Sequence, residues 1–319
     1  MECLNFVYKK IFCIFHFMSV DNLRLNFNQD SLWILNIILA IIMFGVALEL
    51  KVDDFKRLLQ TPKVAAVGII SQFIALPALT FLLVLILQPQ PSVALGMMMV
   101  AACPGGNISN FMTHLAKGNT ALSVSLTAFG TVLAIFMTPL NLQFWGSLYG
   151  PTAVLLKEVS LNAWDMLETI ILLAGIPLVL GMIASHYRPV LSTRVSGWLK
   201  PVSIITFVGF VIIALSNNLQ NFLDHIGLVL VIVFLHNLVA LASGFFLARW
   251  SGLSFMDQKT IAIETGIQNS GLGLFLIFSF FDGLGGMAII AAWWGIWHVI
   301  SGLTLATYWS YTASSIQTR

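Results

Sequence analysis

A single carboxylate lies well inside an apolar stretch of this sequence, in "AIETGIQNSGLG" at residues 262–273. Amides, a serine and glycines surround Glu264 there, although the segment from about Thr260 to Phe281 is otherwise apolar. A charged side chain in hydrocarbon costs at least about 3 kcal/mol, and no Lys or Arg lies deep in an apolar segment to pair with it. Glu264 is therefore either protonated, or its charge is met by a bound cation.

The residue types around Glu264 favour the cation. Gln268 lies four residues further on, on the same helix face, and Thr265, Asn269 and Ser270 add side-chain oxygens. Hard cations prefer oxygen ligands, and a lone carboxylate suits a singly charged ion better than Ca²⁺ or Mg²⁺. A structural glutamate that holds helices together by hydrogen bonds is the other interpretation, and the residue types leave it open.

A second polar stretch, "CPGGNISN", interrupts another apolar segment. Pro104 removes a helical hydrogen bond, and Gly105 and Gly106 lower the cost of leaving helical geometry. The segment of Glu264 has its own weak point at Gly266 and Gly271. Unwound backbone at membrane depth is tolerated only where it is buried in protein or lines a cavity. Two interrupted spans in corresponding positions of two halves indicate an inverted-repeat transporter with a site near the membrane midplane.

The composition of the chain is that of an integral membrane protein. Of the 319 residues, 58% are hydrophobic and 9% are charged, against about 25% charged residues in soluble domains. The net charge is +2 and the basic residues form no stripe, so no nucleic-acid partner is predicted. The three cysteines show no metal-binding spacing, so no zinc site or transition metal is predicted. Segments of about 20 apolar residues cross a bilayer, and the sequence predicts nine: 31–50, 62–87, 92–117, 119–141, 161–185, 200–216, 225–249, 258–281 and 285–310.

Lys and Arg set the predicted orientation, because they concentrate in cytoplasmic connections. Alternate connections hold Lys51, Lys56, Arg57, Lys63, Lys117, Arg188, Arg194, Lys200, Arg249 and Lys259, whereas the opposite set holds only Lys157. The C-terminus is therefore predicted to be cytoplasmic and, with nine spans, the N-terminus outside. Lys9, Lys10 and Arg24 argue weakly against this last step. The protein is expected in the plasma membrane, which is the inner membrane if the source is bacterial.

The first 30 residues form a predicted N-terminal extension. Their basic and apolar residues resemble a signal peptide, but the apolar run is short and no cleavage site is obvious. An interfacial helix and a translation start at Met18 instead of Met1 both stay open.

The two interrupted stretches closely resemble one known family. "CPGGNISNFMTHLAKGNTALSVSLT" and "ETGIQNSGLG…WHVISG…LATYW" are similar to the bile acid:sodium symporters, and "IMFGVALELKVDDF" and "LPALT" match in register. The resemblance covers residues 31–310. It implies an all-α inverted-repeat fold in which two discontinuous helices cross, in the nine-helix form. A core (62–141 and 225–310) would move against a panel (31–50 and 161–216), followed by a cytoplasmic tail (311–319).

The resemblance also implies two sodium sites and a substrate site. The first sodium site would use Ser109, Asn110, Ser123, Thr127 and Glu264. The second would use Gln72, Glu264, Gln268 and the backbone carbonyls of Thr265 and Ile267. Substrate contacts would come from Asn107, Asn269 and His298. Many relatives have Thr at the position of Asn107 and Asn at that of Val299, so a bile acid is not assumed, and small organic acids are equally expected.

The predicted function is sodium-coupled symport of an organic anion into the cytoplasm by alternating access, with Na⁺ as coupling ion and no cofactor. An enzyme is not predicted, because no nucleophile arrangement is present and the buried acid lacks a partner acid. One alternative is a proton-coupled carrier or antiporter on the same fold, in which Glu264 titrates. The other is a sodium-dependent membrane receptor or binding module without transport.

Overall fold

The computed structural model describes Asp21 and residues 29–159, 163–216 and 219–317. Over these residues the chain is helical apart from short connections, and no strand forms. Five helical stretches are long and apolar enough to cross a bilayer: Pro62–Leu87, Thr120–Leu148, Trp164–Tyr187, Val229–Trp250 and Gly285–Thr312. The protein is therefore an all-α membrane protein, as predicted from its composition.

Thirteen helices follow one another over the described residues. They are α1 (Gln29–Ala47), α2 (Val52–Gln60), α3 (Pro62–Ile70, Ser71–Ala75 and Leu76–Leu87), α4 (Pro91–Ala102), α5 (Ile108–Leu115), α6 (Thr120–Leu148), α7 (Gly150–Glu158), α8 (Ala163–Ile170, Ile171–Gly175 and Ile176–Tyr187), α9 (Pro189–Ser216), α10 (Leu219–Trp250), α11 (Phe255–Gly266), α12 (Ser270–Phe280) and α13 (Gly285–Gln317). The middle pieces of α3 and α8 are π-helical turns.

Each π-helical turn ends two residues before a proline. Pro77 follows the turn of α3, and Pro177 follows the turn of α8. A proline ring clashes with the carbonyl one turn earlier, and a π-helical turn inside a helix accommodates such an irregularity without ending the helix. In α3 the turn carries the buried Gln72, which is 5% exposed. A sequence irregularity therefore positions one of the candidate ligands.

The chain contains two units with the same order of elements. One unit consists of α3, the half-helices α4 and α5, and α6; the other consists of α10, the half-helices α11 and α12, and α13. Each second half-helix is followed by a non-glycine residue in the left-handed region, Lys117 at φ 52° and Asp282 at φ 49°. This repetition agrees with the predicted inverted repeat.

A buried lysine closes the end of α5. Lys259, on α11, is 3% exposed, and its ammonium donates to the carbonyls of Ala116 at 2.5 Å and Lys117 at 2.9 Å. Cations stabilise helix C-termini because the last carbonyls there have no helical partner. This contact joins the first turns of one broken helix to the last turn of the other.

The remaining helices pack around these two units. Helix α1 contacts α8 and α9, and α2 lies against α6. The main hydrophobic cluster joins α4, α12 and α13 and extends to α1, α3, α6, α7, α8 and α10. The predicted division into core and panel is compatible with these contacts and stays a prediction.

Several predicted boundaries were wrong. Helix α9 begins at Pro189 instead of 200, and α6 continues to Leu148, because hydropathy detects only the part of a helix inside the bilayer. The predicted connections 51–61 and 142–160 contain α2 and α7. Gly271, predicted as part of a break, lies within α12. The N-terminal extension 1–30 lies outside the described residues except for Asp21, Gln29 and Asp30.

Candidate functional site

The two broken helices meet at their breaks. Helices α4 and α5 are separated by residues 103–107, and α11 and α12 by residues 267–269. Gly105 and Gln268 pair there as an isolated antiparallel bridge. The flanking backbone bonds run from Gly106 N to Ile267 O at 2.8 Å and from Asn269 N to Pro104 O at 2.8 Å. Each break thus supplies backbone partners that the other has lost by unwinding.

The meeting of the two breaks requires glycine on one side. A Cβ added to Gly105 would lie 2.6 Å from Glu264 Oε1, and one added to Gly106 would lie 3.1 Å from Gln268 O. Both distances are shorter than ordinary contacts, so side chains at these positions would push the two unwound segments apart. The "GG" dipeptide allows the backbone to approach the carboxylate closely.

Three hydroxyl groups surround the Glu264 carboxylate, which is only 6% exposed. Thr127 Oγ1 donates to Oε1 at 2.6 Å, while Ser109 Oγ and Ser123 Oγ donate to Oε2 at 2.7 and 3.0 Å. No ion pair to Glu264 occurs in the described part of the chain. Neutral donors from α5 and α6 therefore converge on a lone carboxylate from α11.

Asn110 completes the first set of predicted residues. Thr127 Oγ1 lies 3.2 Å from Asn110 Oδ1 and 3.0 Å from Ser123 O. Ser109 Oγ lies 3.4 Å from the same hydroxyl. A hydroxyl has one proton, and the shortest of these four contacts is the one to Glu264. The structure thus brings Ser109, Asn110, Ser123, Thr127 and Glu264 together, which sequence spacing alone could not show.

The second predicted set is built on two buried amides. Gln72 Nε2 donates to Gln268 Oε1 at 2.9 Å, and Gln268 Nε2 donates to Gln72 Oε1 at 3.3 Å. Gln268 Nε2 also donates to Thr265 O at 2.6 Å, and Ile267 O accepts from Gly106 N. No described hydrogen bond joins these amides to the Glu264 carboxylate. Gly105 lies between the two clusters, paired with Gln268 and adjacent to Glu264.

Further polar residues hold the second break in place. Asn237 Nδ2 donates to Gly266 O at 2.8 Å, and Ser301 Oγ donates to Asn237 Oδ1 at 2.6 Å. Ser71 and Thr265 share a hydroxyl hydrogen bond of 2.8 Å. Sequence reasoning did not assign Ser71 or Ser301 to the site. Their only signal is that they are small polar residues in apolar spans, where such residues commonly bond between helices.

The predicted substrate residues are only partly assembled. Asn107 and Asn269 are half-buried at the N-terminal ends of α5 and α12, and Asn269 Oδ1 accepts from Leu272 N at 3.0 Å. His298 is 5% exposed on α13, and its Nδ1 has no hydrogen-bond partner among the described residues. No described contact connects His298 with either asparagine. Val299, next to His298, packs against the apolar cluster that contains Met112, Ile263 and Ile267.

Comparison with known proteins identifies the family of this chain. The profile described as "Sodium Bile acid symporter family" matches residues 36–225 of the chain. The chain belongs to this family. A relative in Bacillus subtilis, "Uncharacterized sodium-dependent transporter YocS", is 37% identical over 90% of this chain and 87% of its own length.

More distant members of the sodium bile acid symporter family carry more specific names. "Probable sodium/metabolite cotransporter BASS1, chloroplastic" of Arabidopsis thaliana is 31% identical over 86% of this chain and 66% of its own length. "Ileal sodium/bile acid cotransporter" of Oryctolagus cuniculus is 28% identical over 75% of this chain and 67% of its own length. The protein is therefore a multi-pass membrane protein of a sodium-dependent transporter family, whose relatives are named transporters and not enzymes. The nine-helix form stays a prediction.

Proposed function

We propose that the protein carries an organic anion into the cytoplasm together with Na⁺ by alternating access. The observation that carries this proposal is the buried Glu264 carboxylate, which only neutral oxygens surround at the crossing of the two broken helices. The described residues contain no cluster of three His, Cys, Asp or Glu that could hold a more highly charged metal. One carboxylate with hydroxyl and amide oxygens suits a monovalent hard cation.

The two polar clusters correspond to two sodium sites. Ser109, Ser123 and Thr127 would rotate their hydroxyl protons away from Glu264 and present lone pairs to the first ion, beside Asn110. The second ion would take the oxygens of Gln72 and Gln268 and the carbonyls of Thr265 and Ile267. Glu264 would be shared between the ions, so that its charge is compensated without an arginine or lysine.

An anion site follows from the charge balance. Two Na⁺ ions against one carboxylate leave a local positive surplus, and the N-termini of α5 and α12 add positive partial charge. Asn107 and Asn269 lie at these helix ends and would donate to the anion, with His298 as a third contact. Supported substrates are bile acid-like anions or small organic acids, such as keto acids.

Transport would couple the ions to movement of two domains. Sodium would join the unwound segments of the core (62–141 and 225–310), and the panel (31–50 and 161–216) would then move against it. The basic connections support a cytoplasmic C-terminus. Asp21 Oδ1 accepts from Ser92 N at the start of α4, which supports an N-terminal segment on the side opposite the basic connections.

The test is uptake by the full chain in proteoliposomes with an imposed inward Na⁺ gradient. A thermal-shift screen with taurocholate, pantoate and keto acids, each with and without Na⁺, would first select the substrate. We expect the selected anion to raise the unfolding temperature only when Na⁺ is present. We also expect it to accumulate inside the proteoliposomes only while the inward Na⁺ gradient is imposed. Uptake that follows pH at fixed Na⁺ would indicate the proton-coupled carrier, and a sodium-dependent shift without uptake would indicate the receptor.

Replacing Thr127 by valine should specifically weaken sodium binding. Valine keeps the shape of threonine but removes the hydroxyl 2.6 Å from Glu264 Oε1. Hydrogen bonds and ligand contacts to charged groups contribute about 1.5–3 kcal/mol, so the Na⁺ concentration for half-maximal uptake should rise about 10-fold or more. Ser125→Ala is the matched control, because this buried hydroxyl on the same helix donates to Ala121 O and, among the described residues, does not contact Glu264. Equal sodium dependence in both variants would exclude Thr127 as a ligand.

A further inference from the structure

An apolar groove runs between α6 and α8 on the outer surface of the bundle. Its cavity of about 660 Å³ is lined only by apolar residues, among them Phe55 of α2, Ile135 and Phe136 of α6, and Val179 of α8. Phe136 is 51% exposed and Val179 is 55% exposed. Because these side chains are exposed, none of the described residues covers the groove, and it faces the hydrocarbon of the bilayer.

The length of the groove matches one leaflet of a bilayer. On α8 its lining residues extend from Ile171 to Met182, which corresponds to about 16 Å of helix at about 1.5 Å per residue. Half of a hydrocarbon core is about 15 Å thick. The groove therefore has room for one extended acyl chain of a single leaflet.

One end of the groove opens into a polar cleft. This second cavity, of about 790 Å³, lies between the α1–α2 connection and the α8–α9 hairpin. Val52 and Met182 line both cavities, so the apolar groove continues into the cleft. Lys51, Lys56 and His186 line the cleft. It thus lies at the end of the molecule that carries the basic connections.

The charged side chains that line this cleft balance, and the positive surplus comes from two arginines beside it. Lys51 and Lys56 stand against Glu49, which accepts from Ser196 Oγ at 2.8 Å, and Asp53, which is 3.4 Å from Lys56 Nζ. Lys51 lines the cleft and is exposed. Arg188 and Arg194 are exposed near its rim, in the sequence that flanks Pro189 and Thr193. Basic clefts between transmembrane helices on the cytoplasmic side attract anionic headgroups.

We propose that the groove and the cleft together bind one anionic glycerophospholipid of the leaflet at the basic end. One acyl chain lies along α6 and α8, and the phosphate lies between the ammonium groups of Lys51 and Lys56. Helix α6 belongs to the proposed core and α8 to the proposed panel, so the lipid occupies the outer side of the joint between them. This site is separate from the crossing of the broken helices, and lipid binding does not depend on the proposed transport.

Native mass spectrometry of the purified full chain tests the site directly. The protein is titrated with phosphatidylglycerol and with phosphatidylcholine of identical acyl chains. We expect wild-type protein to retain phosphatidylglycerol preferentially. The double substitution Lys51→Gln and Lys56→Gln should lower phosphatidylglycerol affinity about fivefold for each lysine removed, and should leave phosphatidylcholine unchanged. Lys63→Gln, an exposed lysine outside the cleft, is the control.

The apolar half of the site is tested separately. Val179→Trp should obstruct the groove and lower retention of both lipids, whereas Ile183→Trp should not. Ile183 is 48% exposed on the same helix and lines neither cavity. Unchanged unfolding temperatures in detergent would show that all variants fold. Equal lipid retention in every variant would overturn the proposal in favour of annular lipid, and displacement by glycerol 3-phosphate would overturn it in favour of a soluble-anion site.

Discussion

Replacing Glu264 by glutamine is expected to lower sodium-driven uptake by about 100-fold or more. Glutamine keeps the shape of the side chain but removes the only negative charge that the described residues place at the crossing of the broken helices. Removing one partner of a buried charge pair costs about 3–5 kcal/mol, and here the remaining partner is the bound cation. Because both proposed ions share this carboxylate, the substitution should abolish sodium dependence as well as reduce the rate. The measurement is initial uptake of the selected anion in proteoliposomes as a function of external Na⁺.

Glu168→Gln is the matched control for this change. Glu168 is an exposed carboxylate on α8, away from the crossing, so its neutralisation should leave both the rate and the sodium dependence unchanged. Glu264→Ala should behave like Glu264→Gln, since both remove the charge. Full uptake by Glu264→Ala in sodium-free buffer would contradict the proposed mechanism.

Replacing Gly105 by alanine is expected to damage the crossing itself. The added methyl group would lie 2.6 Å from Glu264 Oε1 and 3.2 Å from Glu264 O, so either the carboxylate moves or the bridge to Gln268 opens. Overpacking of this kind costs about 1–3 kcal/mol. We expect uptake to fall about 5- to 150-fold, the factor that corresponds to this strain, and the unfolding temperature to decrease. Calorimetry with and without Na⁺ should show that sodium stabilises this variant less than the wild type.

Gly150→Ala provides the comparison for Gly105→Ala. A Cβ at Gly150, the first residue of α7, meets no atom within 4 Å. This variant should therefore unfold and transport like the wild type. A Gly105→Ala protein with normal sodium stabilisation would show that the close approach of backbone and carboxylate is not needed for ion binding.

Much of the architecture was predictable because a bilayer imposes strict rules on sequence. Only an apolar chain with internally satisfied backbone can cross it, so the apolar spans were readable from composition. Three features break those rules locally: an isolated carboxylate and two Gly- or Pro-rich interruptions. They identified Glu264 and the two helix breaks as candidates for a functional site. The family comparison agrees with the prediction of an all-α membrane transporter.

Helix boundaries were less predictable, because hydropathy reports the membrane and not the hydrogen bonds of the helix. Helix α9 begins eleven residues before the predicted start, and α2 and α7 form in segments predicted as connections. The π-helical turns also had no hydropathy signal. Their cause is a proline two residues further on. A proline within an apolar span can end a helix, kink it or be accommodated by a π-helical turn, so its presence in the sequence did not predict the turn.

The sequence by itself determined that this chain spans a membrane, that two of its helices are broken, and which single carboxylate must find a partner. These are local properties, set by side-chain hydration and backbone hydrogen bonding within a short segment. Which groups meet that carboxylate was implied by the family resemblance, but no local property of the segment gives it, and the tertiary structure decides it. Ser109, Ser123 and Thr127 approach Glu264 from across more than 130 positions of sequence, and Gly105 makes room for it. The groove between α6 and α8 likewise exists only because two distant helices lie side by side, since packing is a property of the folded chain and not of any one segment.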